Sequence, residues 1–369
     1  MKFKDTMTAR ERIEAFYEGK PYDRIPTGIF MSDHSAGLVG ARVVDMHLSA
    51  EINTKAQIAA YKAYGTEEVG AIVGVGGVAE ILGMKLNFPE NSNPYPVSHP
   101  ILSQEDLENT SLPPFFSAGR FPMFYEISER LLEAVGNEVP VVVGMPGPFT
   151  TAGGLRGTEN FMRDLYQNPE FAHEVLRLSL EATLLFIRET AKLGVGFSIG
   201  EPTASGTLIG AKQFHEFAFP YLKACLDEIS RLGCRLTSLH ICGNTRKIWN
   251  AMVDAGAEIL SLDERIDLLE AKREVAPGRC CWEIFRPRRS CCWARRRMWK
   301  TRWPTACARF GTAPGAISWD SAAVFLPTLR RKTSWPFMMQ PVNTEAIRSG
   351  LAAGAACNRK NYTIFLHSR

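Results

Sequence analysis

Short apolar runs alternate along the chain with longer stretches in which apolar positions recur every three or four residues, the period of a helix with one buried face. The runs at 27–30, 70–75, 139–144, 197–200, 236–241 and 257–262 predict six strands. Between them, helical periodicity covers 51–64, 159–166, 169–193, 211–232 and 245–255, and Pro220 predicts a break or kink inside 211–232. Thr8 and Glu11 have the spacing of a capping box, which opens a first helix to Tyr17 with Ile13, Ala15 and Phe16 on its apolar side. A Pro- and Asn-rich loop at 88–100 precedes another short helix that starts at Ser103. Strands that alternate with helices predict a parallel sheet with helical crossovers.

The polar residues of chemical interest follow the strands. Glu201 ends the run at 197–200, His240 and Cys242 close the run at 236–241, and Asp263 follows the run at 257–262. In a (β/α)₈ barrel, reactive groups gather at such C-terminal strand ends. Side chains two apart on a strand share a face, so His240 and Cys242 point the same way, as two ligands of a zinc site would. The plainer reading is a buried Cys beside a hydrogen-bonded His. Glu201 fits an extra ligand, a proton acceptor or a hydrogen-bond anchor, and Asp263 a partner that orients His240. Asn244 and Thr245 read as helix N-cap residues. Cys225 and Cys234 read as packing residues, while His34, His47, His99, His173 and His215 lack ligand spacing. Gly74-Val-Gly-Gly77 lacks the spacing of a dinucleotide fingerprint and reads as a tight turn.

Charge changes the picture near the C-terminus. Residues 1–278 carry 26 Lys and Arg against 36 Asp and Glu, a net of −10, whereas residues 279–369 carry 17 against 3, a net of +14. Six of the nine Cys and six of the seven Trp also fall in 279–369, which has neither helix nor strand periodicity. A basic, Trp-interleaved tail invites a nucleic-acid reading, but a translated wrong frame explains it better. If each codon takes its first base from the preceding wobble position, Cys280-Cys281-Trp282-Glu283-Ile284 forces Leu-Leu-Gly followed by Asn or Asp. Met298-Trp299-Lys300 forces Val-Glu, and Met338-Met339-Gln340 forces Asp-Ala. The shifted frame then permits strand-then-helix periodicity and an acidic balance. The chain therefore divides into an ordered unit at 1–278 and an aberrant, frameshifted tail at 279–369. A genuine basic tail is the competing reading.

No apolar stretch approaches the roughly 18 residues needed to span a bilayer. The charged N-terminus leads straight into a helix, so the expectation is a cytoplasmic protein with reduced cysteines that binds neither membrane nor nucleic acid.

Gly147-Pro-Phe-Thr150, Glu201-Pro-Thr-Ala-Ser205, Phe219-Pro-Tyr221, His240-Ile-Cys-Gly-Asn-Thr245 and Leu262-Asp-Glu264 together resemble the uroporphyrinogen decarboxylase superfamily. The likeness is greatest to its methylcobamide:coenzyme M methyltransferase branch. The resemblance implies a TIM (β/α)₈ barrel, here incomplete because its last two strands fall in the out-of-frame tail. It also implies Zn²⁺ held by His240, Cys242 and a later Cys, whose place falls at Ala322 or Ala323, where the shifted frame permits Cys. Zinc would hold a small thiol such as coenzyme M, which takes a methyl group from methylcobalamin on a separate corrinoid protein. Glu201 and Asp263 are the candidate catalytic residues under this resemblance, and Ser205 and Thr245 line the candidate substrate pocket. Decarboxylation of a tetrapyrrole on the same fold is the alternative, although the loop after the first strand, 31–38, has no Arg to receive its carboxylates. A third reading is the inactive product of a damaged gene.

Overall fold

The computed structural model describes residues 5–24, 26, 29–263, 266–275, 280–284, 323–326 and 362–364. Most of the expected tail, including Ala322, lies outside the described residues.

Ten strands are described: β1 (Ile29–Met31), β2 (Leu86–Asn87), β3 (Tyr95–Pro96), β4 (Val142–Pro146), β5 (Gly196–Gly200), β6 (Ser238–His240), β7 (Ile259–Asp263), β8 (Cys280–Ile284), β9 (Ala323–Leu326) and β10 (Tyr362–Ile364). Strands β4 to β8 pair in sequence order, all parallel. In place of the expected strand at 70–75 there are two isolated parallel bridges, Val69–Val141 just before β4 and Ile72–Gly144 within it. The chain thus builds the parallel α/β sheet that its alternating pattern predicts. Closure into a barrel is not seen among the described strands. β9 joins β8 antiparallel, and β1 pairs with β10 rather than with the sheet.

The two faces of this sheet differ in kind. Val143, Met145, Phe197, Ile199, Leu239, Leu260 and Leu262 lie on one face, all buried against the helices. The register places Gly144, Ser198, Gly200, Ser238, His240 and Ser261 on the other, which they make more polar although Val142, Pro146 and Ile259 share it. Burial of each large apolar side chain contributes about 1.5–3 kcal/mol, so the first face holds the sheet to its helices. The second face is free to carry chemistry.

Local signals account for most helices. Thr8 accepts from the Glu11 N–H while the Glu11 carboxylate accepts from the Thr8 N–H at 2.7 Å, and the helix Ala9–Tyr17 buries Ile13, Ala15 and Phe16. Its Arg12 is also buried, paired with Asp23 and Glu67. Ser103 caps Gln104–Glu108 in the same manner. The break expected at Pro220 takes the form of a π-helical turn at Phe214–Ala218, after which Phe219–Arg231 begins. Pro220 falls in the first turn of that second helix, where a missing N–H loses no intrahelical bond.

The two longest of the helices that go beyond the sequence expectation are Phe121–Val135 and Pro148–Arg156. Phe121–Val135 buries Phe121, Phe124, Ile127, Leu131 and Val135 on one stripe. Pro148–Arg156 forms despite Gly153 and Gly154, because tertiary packing overrides low helix propensity. Gly154 sits where an added Cβ would come within 3.3 Å of Ala79 Cβ. The strand expected at 236–241 begins only at Ser238, since Leu236 adopts φ +65°, outside the extended region. Among the described residues no helix is long and apolar enough to cross a membrane.

Candidate metal and catalytic site

Strand β6 delivers His240 to the polar face of the sheet, and Cys242 follows two residues later on the same side. His240 Nε2 and Cys242 Sγ are 3.0 Å apart, and both residues are half-buried. The shared face expected from their spacing is what the backbone produces. At the other side of the ring, His240 Nδ1 lies 3.1 Å from the Ser261 carbonyl oxygen and 3.0 Å from Ser261 Oγ. Ser261 stands directly opposite His240 in the β6–β7 register and is 6% exposed.

Asp263, expected to orient the imidazole, accepts a hydrogen bond from the Gly243 N–H at 2.8 Å. Gly243 has φ +76°, and an added Cβ there would meet Ser205 Oγ at 2.6 Å, so glycine is required on both counts. Asp263 therefore fixes the turn that follows Cys242, and Ser261 contacts the His240 ring at Nδ1.

Glu201 is fully buried at the tip of β5. Its Oε1 accepts from the Phe149 N–H at 3.0 Å and its Oε2 from the Thr150 N–H at 2.7 Å, in the first turn of Pro148–Arg156. A carboxylate suits that position, where unpaired N–H groups and the positive end of the helix dipole meet. Burial nevertheless pushes its pKa up to about 7, against the lowering effect of those hydrogen bonds. An added Cβ on Gly147 would lie 2.2 Å from Glu201 Oε1, so the glycine of the Gly147-Pro-Phe-Thr150 motif makes room for the carboxylate. The Glu201 backbone N–H in turn donates to the His240 carbonyl at 2.8 Å. Of the three readings open to Glu201, the geometry matches the hydrogen-bond anchor.

The rest of the 201–205 segment ties the same parts together. Thr203 and Thr150 hydroxyls are 2.9 Å apart, and the Ser205 hydroxyl donates to the Cys242 carbonyl at 2.7 Å. Thr245 is also fully buried and accepts a hydrogen bond from Trp249 Nε1 at 2.9 Å. It occupies the cap position of the turn Arg246–Ile248 without a side-chain capping bond; Asn244 Oδ1 accepts from the Arg246 N–H at 3.2 Å instead. Both Ser205 and Thr245 direct their hydroxyls at protein atoms. Cys225 is buried, and burial together with the nearby Glu201 pushes its thiol well above the ordinary range, which fits the packing role expected of it.

Two donors of the right type for zinc therefore converge at the tip of β6. No group of three or more His, Cys, Asp or Glu able to hold a metal occurs among the described residues. Ala323 opens β9, and Ala322 lies outside the described residues.

Residues 8–282 match the uroporphyrinogen decarboxylase (URO-D) family along their whole length. The chain belongs to that family. It is 30% identical over 279 residues to the methylcobamide:CoM methyltransferase MtaA of Methanosarcina barkeri, spanning 73% of this chain and 79% of that protein. The methylcobamide:CoM methyltransferase MtbA of Methanosarcina mazei is 28% identical over 276 residues, 73% of this chain and 80% of that protein. A solved methyltransferase structure from Methanosarcina mazei superimposes with a TM-score of 0.68 at 26% identity, covering 74% of this chain and 82% of that chain. The resemblance read from the motifs is thus upheld at the level of the family and of its methyltransferase members. Ser261 was the residue that motif reading missed. Its signal is its register: it is the β7 neighbour of His240, a relation that no spacing within a single strand reveals.

Proposed function

We propose that this member of the uroporphyrinogen decarboxylase family transfers a methyl group from a methylated corrinoid, carried on a partner protein, to a small thiol such as coenzyme M. The observation that carries the reading is the approach of His240 Nε2 and Cys242 Sγ at the tip of a parallel strand. The methyltransferase relatives support the reaction class. His240 and Cys242 would hold zinc, which when bound keeps an acceptor thiol deprotonated and nucleophilic at neutral pH.

The chain's own residues do the rest. Ser261 holds the imidazole from behind, Asp263 fixes the turn after Cys242 through Gly243, and Ser205 restrains the Cys242 carbonyl. Glu201 holds the N-terminus of Pro148–Arg156 and, through its own N–H, the end of β6. Gly200, beside His240 in the register, and Ser238, two residues before it, are the small neighbours of the donor pair on this face.

The two donors fit zinc by type; no third joins them among the described residues, and alanine, whose methyl cannot ligate a metal, stands at 322 and 323. The family match ends at residue 282, close to the change in composition at 279. Both facts support a frameshift near residues 277–279, and coding DNA read across codons 270–290 tests it directly. Early stop codons in the shifted frame would refute it.

The activity is tested by zinc analysis and by methyl transfer from methylcobalamin to coenzyme M, for the chain as written and for its frame-corrected form. Zinc bound one-to-one by the corrected chain, with metal and transfer both lost in Cys242→Ala by more than about 100-fold, is the expected result, a loss larger than changes outside the ligand set produce. Metal-free protein that decarboxylates a porphyrinogen would overturn it.

A further inference from the structure

We propose that Ser261 is a positioning residue that selects the tautomer of His240 and so aims the Nε2 lone pair at Cys242. The decision comes from the chemistry of the atoms around Nδ1. A carbonyl oxygen can only accept a hydrogen bond, and that of Ser261 is 3.1 Å from Nδ1. A deprotonated Nδ1 at that distance would set one lone pair against another. Nδ1 therefore carries the proton, and in the neutral ring Nε2 is left as the acceptor. The Ser261 hydroxyl oxygen, 3.0 Å away, is a second acceptor for the same N–H. With Nδ1 held from behind by two oxygens, the ring nitrogen that keeps its lone pair is the one 3.0 Å from Cys242 Sγ.

The fold makes this arrangement dependable. Ser261 is 6% exposed, lies in the middle of β7 and pairs in register with His240, so sheet hydrogen bonds on both strands fix the separation. Its neighbours along the strand, Leu260 and Leu262, are wholly buried on the opposite face. A one-residue slip of β7 would drive those leucines into the polar face, which the core forbids. Asp263, two residues on, is engaged by the Gly243 N–H. Partners that hold the far nitrogen of a metal-binding imidazole set both its tautomer and its ring plane.

The inference deepens the zinc reading, yet one of its two readouts is independent of metal. Nitrogen-15 NMR of the metal-free protein at mildly alkaline pH, with His240 assigned by its loss in His240→Gln, reports the tautomer directly. The expected result is the Nδ1–H form in the wild type. Zinc titration then compares Ser261→Thr, which keeps the hydroxyl oxygen, with Ser261→Val, which has the same shape without it. The valine variant is expected to bind zinc about 10-fold more weakly and the threonine variant to match the wild type. Ser261→Ala, which adds no bulk, should follow valine, with an unfolding midpoint close to the wild type. An Nε2–H tautomer in the wild type would overturn the proposal, since the Ser261 carbonyl that every variant keeps decides the tautomer, and equal zinc affinity in the threonine and valine variants would overturn the share given to the hydroxyl. Wild-type protein that binds no zinc but shows the Nδ1–H form would defeat the zinc reading and leave the assignment of Ser261 intact.

Discussion

Two neighbouring strand tips, β5 and β6, end in residues that look equally reactive in the sequence, and the fold treats them in opposite ways. At β5, Glu201 is fully buried and each carboxylate oxygen accepts a backbone N–H from the start of a helix. At β6, His240 and Cys242 stay half-buried, and His240 Nε2 and Cys242 Sγ face each other. The first tip spends its charged side chain on holding elements together. The second turns two donor atoms of its side chains towards one another. A polar residue after a strand is thus a weak guide to chemistry until its partners are known, because helix N-termini compete for the same carboxylates.

The contrast breaks most visibly at Gly147. In Gly147→Ala the new methyl would press on Glu201 Oε1, whose two hydrogen bonds leave it little freedom to move. A stability loss of about 2–3 kcal/mol in denaturant unfolding is expected, as for other overpacked interiors. An unchanged midpoint would show that the carboxylate is not clamped.

A smaller effect follows from the proton on Glu201. Its pKa in the folded chain is about 7, above the ordinary carboxyl value of 4.5, because burial disfavours the charge. The folded state therefore keeps a proton that the unfolded chain releases. Its contribution to stability is complete below pH 4.5 and is lost as pH rises through about 7. Stability should fall across that window with a slope of up to about 1.4 kcal/mol per pH unit from this group. Glu201→Gln should flatten the profile there, and an identical profile in the variant would place the titrating group elsewhere.

Ser205→Ala sharpens the comparison from the side of β6. It removes the hydroxyl that donates to the Cys242 carbonyl and should cost about 1 kcal/mol, the usual net value of one hydrogen bond. Zinc affinity is the more telling measurement, because a pocket-lining role for Ser205 would alter acceptor binding and leave the metal untouched.

The sequence by itself determined the alternation of strands and helices, the capping boxes at Thr8 and Ser103, and the common face of His240 and Cys242. Each of these is set by residues within a few positions of one another, through helical or strand periodicity or a local side-chain bond. The tertiary structure decided which groups surround them. Ser261 meets His240 because two strands lie in one register, and Glu201 meets Phe149 and Thr150 across more than fifty positions of chain. The helix Pro148–Arg156 likewise forms against the preference of its own glycines, since burial among neighbouring elements outweighs local propensity. Partners brought together by folding leave no period or spacing in the sequence, so the residues that tune this site became visible only once the sheet was assembled.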